Sequence, residues 1–134
     1  MEFEFTKREC DFGIIYSPTL PITLNSFPVG HAFIDTGADI TLLPMEVNKI
    51  LELELDTENA IDIGSAGGGK FRAIPASSKV KFTLEHSGFK PISWKGTVYF
   101  APRQPTILLG QHDCLSELKI TLDGPRRKTL VQAK

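Results

Sequence analysis

Residues 79–86 read KVKFTLEH, an unbroken alternation that puts Val80, Phe82 and Leu84 on one side and charged or polar residues on the other. Side chains alternate across a strand with period two, so this segment suits a half-buried β-strand and not a helix. Similar signals recur along the chain. Phe3 and Phe5 alternate with Glu2 and Glu4, and FGIIY, PITL, HAFI, WKGTVYF and PTILLG read as further short strands bounded by Pro, Gly or Asn-Ser turn signals. KITLD and KTLVQ flank Gly124-Pro125 and read as a terminal hairpin. Helical signals are few: PMEVNKILEL at 44–53, with Pro44 at the first helical position, and QHDCLSEL at 111–118, with Leu115 and Leu118 spaced to pack together. Many short strands with one or two short helices predict an all-β barrel or sandwich.

Composition narrows the functional classes. A chain of 134 residues is enough for one domain with its own core and too short for two. Fifteen Lys+Arg against sixteen Asp+Glu leave a formal charge of −1, which gives no electrostatic reason to expect nucleic acid or an anionic membrane as partner. Arg126-Arg127-Lys128 is the one dense basic cluster and reads as a solvated turn. Cys10 and Cys114 are too far apart for a C-x-x-C pair, and His31, His86 and His112 are scattered, so neither a disulfide framework nor a metal site is expected. No apolar run approaches the ~18 residues of a membrane span, and MEFEFTKREC lacks the apolar region of a signal peptide. The expectation is a soluble, cytoplasmic domain without cofactor.

The stretch IDIGSAGGGKF, residues 61–71, satisfies G-x-x-x-x-G-K from Gly64 to Lys70. A phosphate-binding loop of that type needs a Ser or Thr hydroxyl for magnesium at the next position and a helix N-terminus behind it. Phe71 occupies the hydroxyl position, and FRAIPASSKVKF contains Pro75 and then alternates like a strand. Both requirements fail. The remaining reading is a β-hairpin with glycines at its tip, where positive φ and close backbone approach are permitted.

A second string gives that hairpin a context. AFIDTGADITLLP, residues 32–44, ends an apolar strand on Asp35, and a carboxylate there is unfavourable unless something satisfies or uses it. An Asp capping its own turn would explain D-T-G alone. The longer pattern, D-T-G-A-D between apolar flanks, resembles the active-site motif of the retropepsin-like (retroviral-type) aspartic proteases. PTILLGQHDCL, residues 105–115, is similar to the apolar-apolar-Gly block near the end of that family's domain, and the glycine-rich hairpin falls between the two blocks where the family has its flap. The resemblance spans roughly residues 20–123.

That resemblance implies a retropepsin-like acid protease barrel, all-β, with a glycine-rich flap and one or two short helices. It implies a C2 homodimer in which Asp35 from each copy forms the catalytic dyad of an aspartic endopeptidase, with no metal and no nucleotide. Thr36 would brace the dyad, and Gly37 would complete the motif. Ala38, Asp39, Gly64, Ala66, Gly67, Gly68, Thr106 and Leu108 would meet an extended peptide substrate, and Gly110 would pack close to the active-site loop. Gln111 stands where many relatives have Arg, so a salt bridge from there to Asp39 cannot form. The tail 124–134 would form an extra interface hairpin or a strand on the protomer's own edge. The alternative is a retropepsin-fold peptide-binding or dimerisation module whose dyad is unused.

Overall fold

A computed structural model describes residues 1–65 and 67–134 of the chain. Among them, fourteen strands and one short α-helix follow in order: β1 (Glu2–Glu4), β2 (Thr6–Cys10), β3 (Gly13–Ser17), β4 (Thr19–Leu24), β5 (Phe27–Ile34), β6 (Leu42–Pro44), α1 (Asn48–Leu51), β7 (Ile61–Gly64), β8 (Lys70–Pro75), β9 (Val80–Leu84), β10 (Ile92–Gly96), β11 (Tyr99–Ala101), β12 (Leu108–Leu109), β13 (Leu118–Asp123) and β14 (Lys128–Ala133). Nine of them form one sheet in the order β10-β9-β4-β5-β12-β6-β11-β8-β7. β2 and β3 make a separate hairpin, and β1-β14-β13 make a three-stranded sheet.

The alternation read at 79–86 is a buried face. Val80, Phe82 and Leu84 on β9 are fully buried and meet Leu20, Ile22 and Leu24 of β4 in the main core. Phe82 also stacks on Trp94 with ring centroids 5.1 Å apart and planes 8° from parallel. Each such side chain removed from water contributes about 1.5–3 kcal/mol, so these two strands anchor the sheet.

Pairing order then places the loops that matter. β5 runs parallel to β12, with Phe33 opposite Leu108 and Ile34 opposite Leu109. Asp35 directly follows β5 and Gly110 directly follows β12, so the two motif blocks emerge side by side at the same sheet end. At the other side of the sheet, β7 and β8 form the antiparallel hairpin read from IDIGSAGGGKF, with Gly64 opposite Lys70. The residues after Lys70 are strand and not helix, which removes the phosphate-loop reading structurally as well.

Three local expectations are corrected. The helix read over 44–53 is a 3₁₀ turn at Met45–Val47 followed by the single turn of α1. It stops because Glu52 takes φ 53°, while the Asn48 side chain accepts from the Leu53 N–H (2.8 Å) and donates to its carbonyl (3.0 Å). The segment 111–118 is turn and then a 3₁₀ helix at Leu115–Glu117, because Asp113 sits at φ 61°. WKGTVYF is not one strand but the end of β10 and β11, broken at Thr97-Val98. There the Thr97 N–H leaves the ladder and donates to Asp113 Oδ2 at 2.9 Å.

The tail forms a strand on the protomer's own sheet. β14 pairs with β13 on one side and with β1 on the other, Phe3 lying opposite Thr129. The basic cluster serves this corner: Lys128 Nζ meets Glu4 at 2.8 Å, Arg126 approaches Glu2 and Asp123 at 3.8 and 3.6 Å, and the Arg127 guanidinium covers the Tyr16 ring at 3.6 Å. No helix among the described residues is long and apolar enough to cross a membrane.

Candidate active site

Asp35 is held by backbone bonds on both sides of its loop. Its N–H donates to the Leu109 carbonyl at 3.1 Å, and its own carbonyl accepts from Ala38 at 3.1 Å. The Gly37 N–H donates to Asp35 Oδ1 at 3.0 Å, which orients the carboxylate. A methyl group at Gly37 would make an ordinary contact with that same Oδ1, 3.4 Å away.

The second motif block clamps the loop from below. The Gln111 N–H donates to the Ala38 carbonyl and the His112 N–H to the Asp39 carbonyl, both at 2.9 Å. The Gln111 side chain adds a bond from Nε2 to the Thr36 carbonyl at 3.0 Å. Gly110 lies against the Ile40 backbone so closely that a Cβ would overlap it. The Gly110 N–H donates to the hydroxyl of Thr41, at 3.1 Å, and Thr41 is fully buried. Cys114 lies in the same interior, where burial pushes its thiol up to about 12, so it stays protonated and inert.

Above the loop a cavity of about 640 Å³ lies between Asp35 and the β7–β8 hairpin. Its walls are largely apolar: Ile40 and Leu42 beneath, Ile61, Ile63 and Phe71 from the hairpin, and Leu108 from β12. The hairpin tip closes on itself, with the Ser65 N–H and hydroxyl both donating to the Gly69 carbonyl at 2.7 and 3.2 Å, and Gly68 at φ 84°. A second cavity of about 280 Å³ opens on the other side of Asp35, lined by Arg8, Ser17, Phe33, Thr106 and Leu108. Asp35 and Leu108 border both, so Asp35 stands between the two hollows.

The residues singled out in the sequence fall into three groups. Asp35, Gly37, Ala38, Asp39, Gly64 and Leu108 converge on the larger cavity, and Thr106 joins Asp35 and Leu108 at the smaller. Thr36 lines neither and is exposed, offering its carbonyl to Gln111. Gly67 and Gly68 are exposed at the hairpin tip, outside both linings, and Ala66 lies outside the described residues. Sequence reasoning missed Arg8, which reaches the site from β2: its Nε donates to Ser17 Oγ at 3.0 Å and its guanidinium covers the Phe33 ring at 5.1 Å. It also missed Ser65 and Gln104, which line the larger cavity. No local motif marks Arg8, because only the β2–β3 pairing brings it there.

No family model and no curated protein matches this sequence. Solved structures do match. A retropepsin-like aspartic protease from Rickettsia conorii, 17% identical, aligns over 98% of this chain and 98% of its own with a TM-score of 0.59. The retroviral protease-like domain of Ddi1 from Leishmania major, 15% identical, aligns over 87% of this chain and 88% of its own with a TM-score of 0.55. The chain therefore has the retropepsin-like all-β fold.

Proposed function

We propose that the protein is a homodimeric aspartic endopeptidase in which Asp35 and its counterpart from a second copy activate water against a peptide bond. The observation that carries this reading is that Asp35 borders two cavities, the larger of them walled on its far side by the β7–β8 hairpin. A peptide laid past Asp35 in extended form sends successive side chains to opposite sides, as a strand does, so one can enter each hollow. Ala38, Asp39 and Gly64 supply backbone along the larger cavity, and the β7–β8 hairpin acts as the flap, with Gly67 and Gly68 free of side chains that would obstruct substrate.

The chemistry follows from two like carboxylates at one site. Both cannot be charged without strong repulsion, so the pair holds one proton between them. The charged member takes a proton from a water as its oxygen attacks the peptide carbon. The other gives its proton to the carbonyl oxygen, producing a tetrahedral diol. As the diol collapses and its C–N bond breaks, the protonated carboxyl gives its proton to the departing amine while the charged carboxylate takes a proton from a diol hydroxyl, so the dyad again shares one proton. Gly37 contributes by fixing Oδ1, and Thr36 by bracing the loop through its bond from Gln111.

A module that only binds peptide would share this cleft but cut nothing. Digesting a peptide library with wild type and Asp35→Asn separates the two: cleavage by the wild type alone supports the peptidase. Cleavage that persists in the variant, or none by a folded dimeric wild type, contradicts it.

A further inference from the structure

β10, Ile92–Gly96, is an open edge of the nine-stranded sheet, at the opposite end from the β7–β8 hairpin. We propose that this edge docks an extended segment of another protein in which acidic and apolar residues alternate, taken up as an added strand. Lys81 and Lys95 attract the acidic positions, and Ile92 and Trp94 meet the apolar ones. Docking there requires neither catalysis nor a second copy of the chain.

The backbone of this edge has room for a partner. β10 pairs with β9 alone, from Ile92 opposite Leu84 to Gly96 opposite Val80. Among the described residues no other backbone bond reaches Ile92, Ser93, Trp94 or Lys95. The N–H and C=O groups directed away from β9 can therefore take up a further strand, with main-chain bonds for affinity and alternate side chains for selectivity.

Charge says what such a strand must carry. Lys95 lies directly opposite Lys81 of β9, both are exposed, and neither makes an ion pair among the described residues. Like charges directly opposite are unfavourable. One lysine on an edge strand is enough to deter uncontrolled pairing, which accounts for Lys95 but not for Lys81 on an interior strand. An anionic side chain brought beside Lys95 offsets the charge of both.

The two faces of β10 set the alternation. Ser93 and Lys95 point outward, and the Ser93 hydroxyl lies 3.2 Å from that of Thr83, its cross-strand neighbour. Ile92 and Trp94 face the main core and are half-buried. Trp94 is held there by its stack on Phe82 and by Nε1–H donating to the Asp113 carbonyl at 2.9 Å. An added strand sets alternate residues beside Ser93 and Lys95 and the intervening ones beside Ile92 and Trp94, so acidic or polar side chains must alternate with apolar ones. A second copy of β10 does not meet this demand. Paired antiparallel about Trp94, it sets Lys95 against Ser93 and brings its own Lys81 and Lys95 to the same face.

Two short synthetic peptides test the edge, one alternating Glu and Val and one alternating Glu and Pro. Binding is followed by fluorescence anisotropy on the Asp35→Asn chain, so that a probe cannot be lost to cleavage. The Glu-Val peptide should bind, and Lys81→Glu/Lys95→Glu should weaken it by about ten-fold. Both lysines are exposed, so the double variant keeps the fold. The Glu-Pro peptide has the same charge but lacks the N–H groups of a ladder, and should bind about ten-fold more weakly than Glu-Val. Backbone hydrogen exchange should slow at β10 when Glu-Val is bound. Equal binding of the two peptides would mean attraction of charge alone and would overturn the added strand. Failure of Glu-Val to bind, or binding that the double variant leaves unchanged, would overturn the edge as the site. Exchange at β10 that slows with protein concentration, without any peptide, would give the edge to a second copy and overturn the acidic partner.

Discussion

Gly110 and Ile40 are in direct backbone contact: the space a Cβ on Gly110 would need is filled by the Ile40 carbonyl and amide. The contact lets the loop after β12 lie flat under the loop that carries Asp35. Gly110→Ala should therefore separate the two loops. Overpacking of this kind costs about 1–3 kcal/mol, and urea unfolding should show a loss in that range together with loss of cleavage. An unchanged unfolding midpoint would mean the loops are not tightly apposed.

Gln111 supports the same loop by a different bond. Its Nε2 donates to the Thr36 carbonyl in an exposed setting, where one hydrogen bond contributes only about 0.5–1.5 kcal/mol. Gln111→Ala should thus leave the fold intact by circular dichroism and lower kcat more than it raises KM, because it loosens the carboxylate and not the side-chain cavities. A pure KM effect would place Gln111 in substrate binding instead.

Arg8 makes no ion pair among the described residues and lines the smaller cavity beside Asp35. A guanidinium there should favour peptides with an acidic or polar side chain next to the cut, while Ile40, Leu42, Ile63 and Phe71 favour an apolar one in the other cavity. Arg8→Glu should shift library preference away from acidic residues at one position only. An unaltered cleavage profile would remove Arg8 from the site.

Asp113 links stability to pH. Its carboxyl is held below the usual carboxylate value, first by the Thr97 N–H and also by the charges of His112 and Lys79. A lowered folded value means the stabilisation is complete above the unfolded value and is lost as pH falls through the folded one. The wild type should lose thermal stability as pH drops below ~4. Asp113→Asn, about 1–3 kcal/mol less stable at neutral pH, should lose less on acidification. Parallel Tm-versus-pH curves for the two proteins would contradict this assignment.

The parts legible in the sequence are those set by local pattern. Val80, Phe82 and Leu84 announce β9 by alternation alone, and the IDIGSAGGGKF hairpin is readable because Phe71 and Pro75 exclude the competing loop. Asp35 and Gly110 are readable as motif members, although their adjacency depends on the parallel pairing of β5 with β12. What escaped depends on long-range partners. Asp113 both breaks the helix suggested by QHDCLSEL and takes the Thr97 N–H out of the strand suggested by WKGTVYF. Arg8 carries no signal at all until the β2–β3 hairpin lays it over Phe33.

Mixing two versions of the chain tests whether one catalytic centre is built from the Asp35 of two chains. Wild type and Asp35→Asn are combined at fixed total concentration, allowed to exchange subunits, and assayed on one cleaved peptide. If the centre is shared, mixed dimers are inactive and activity falls as the square of the wild-type fraction, to about a quarter in an equal mixture. A linear fall, to about half, would show that each chain works alone and that no centre is shared.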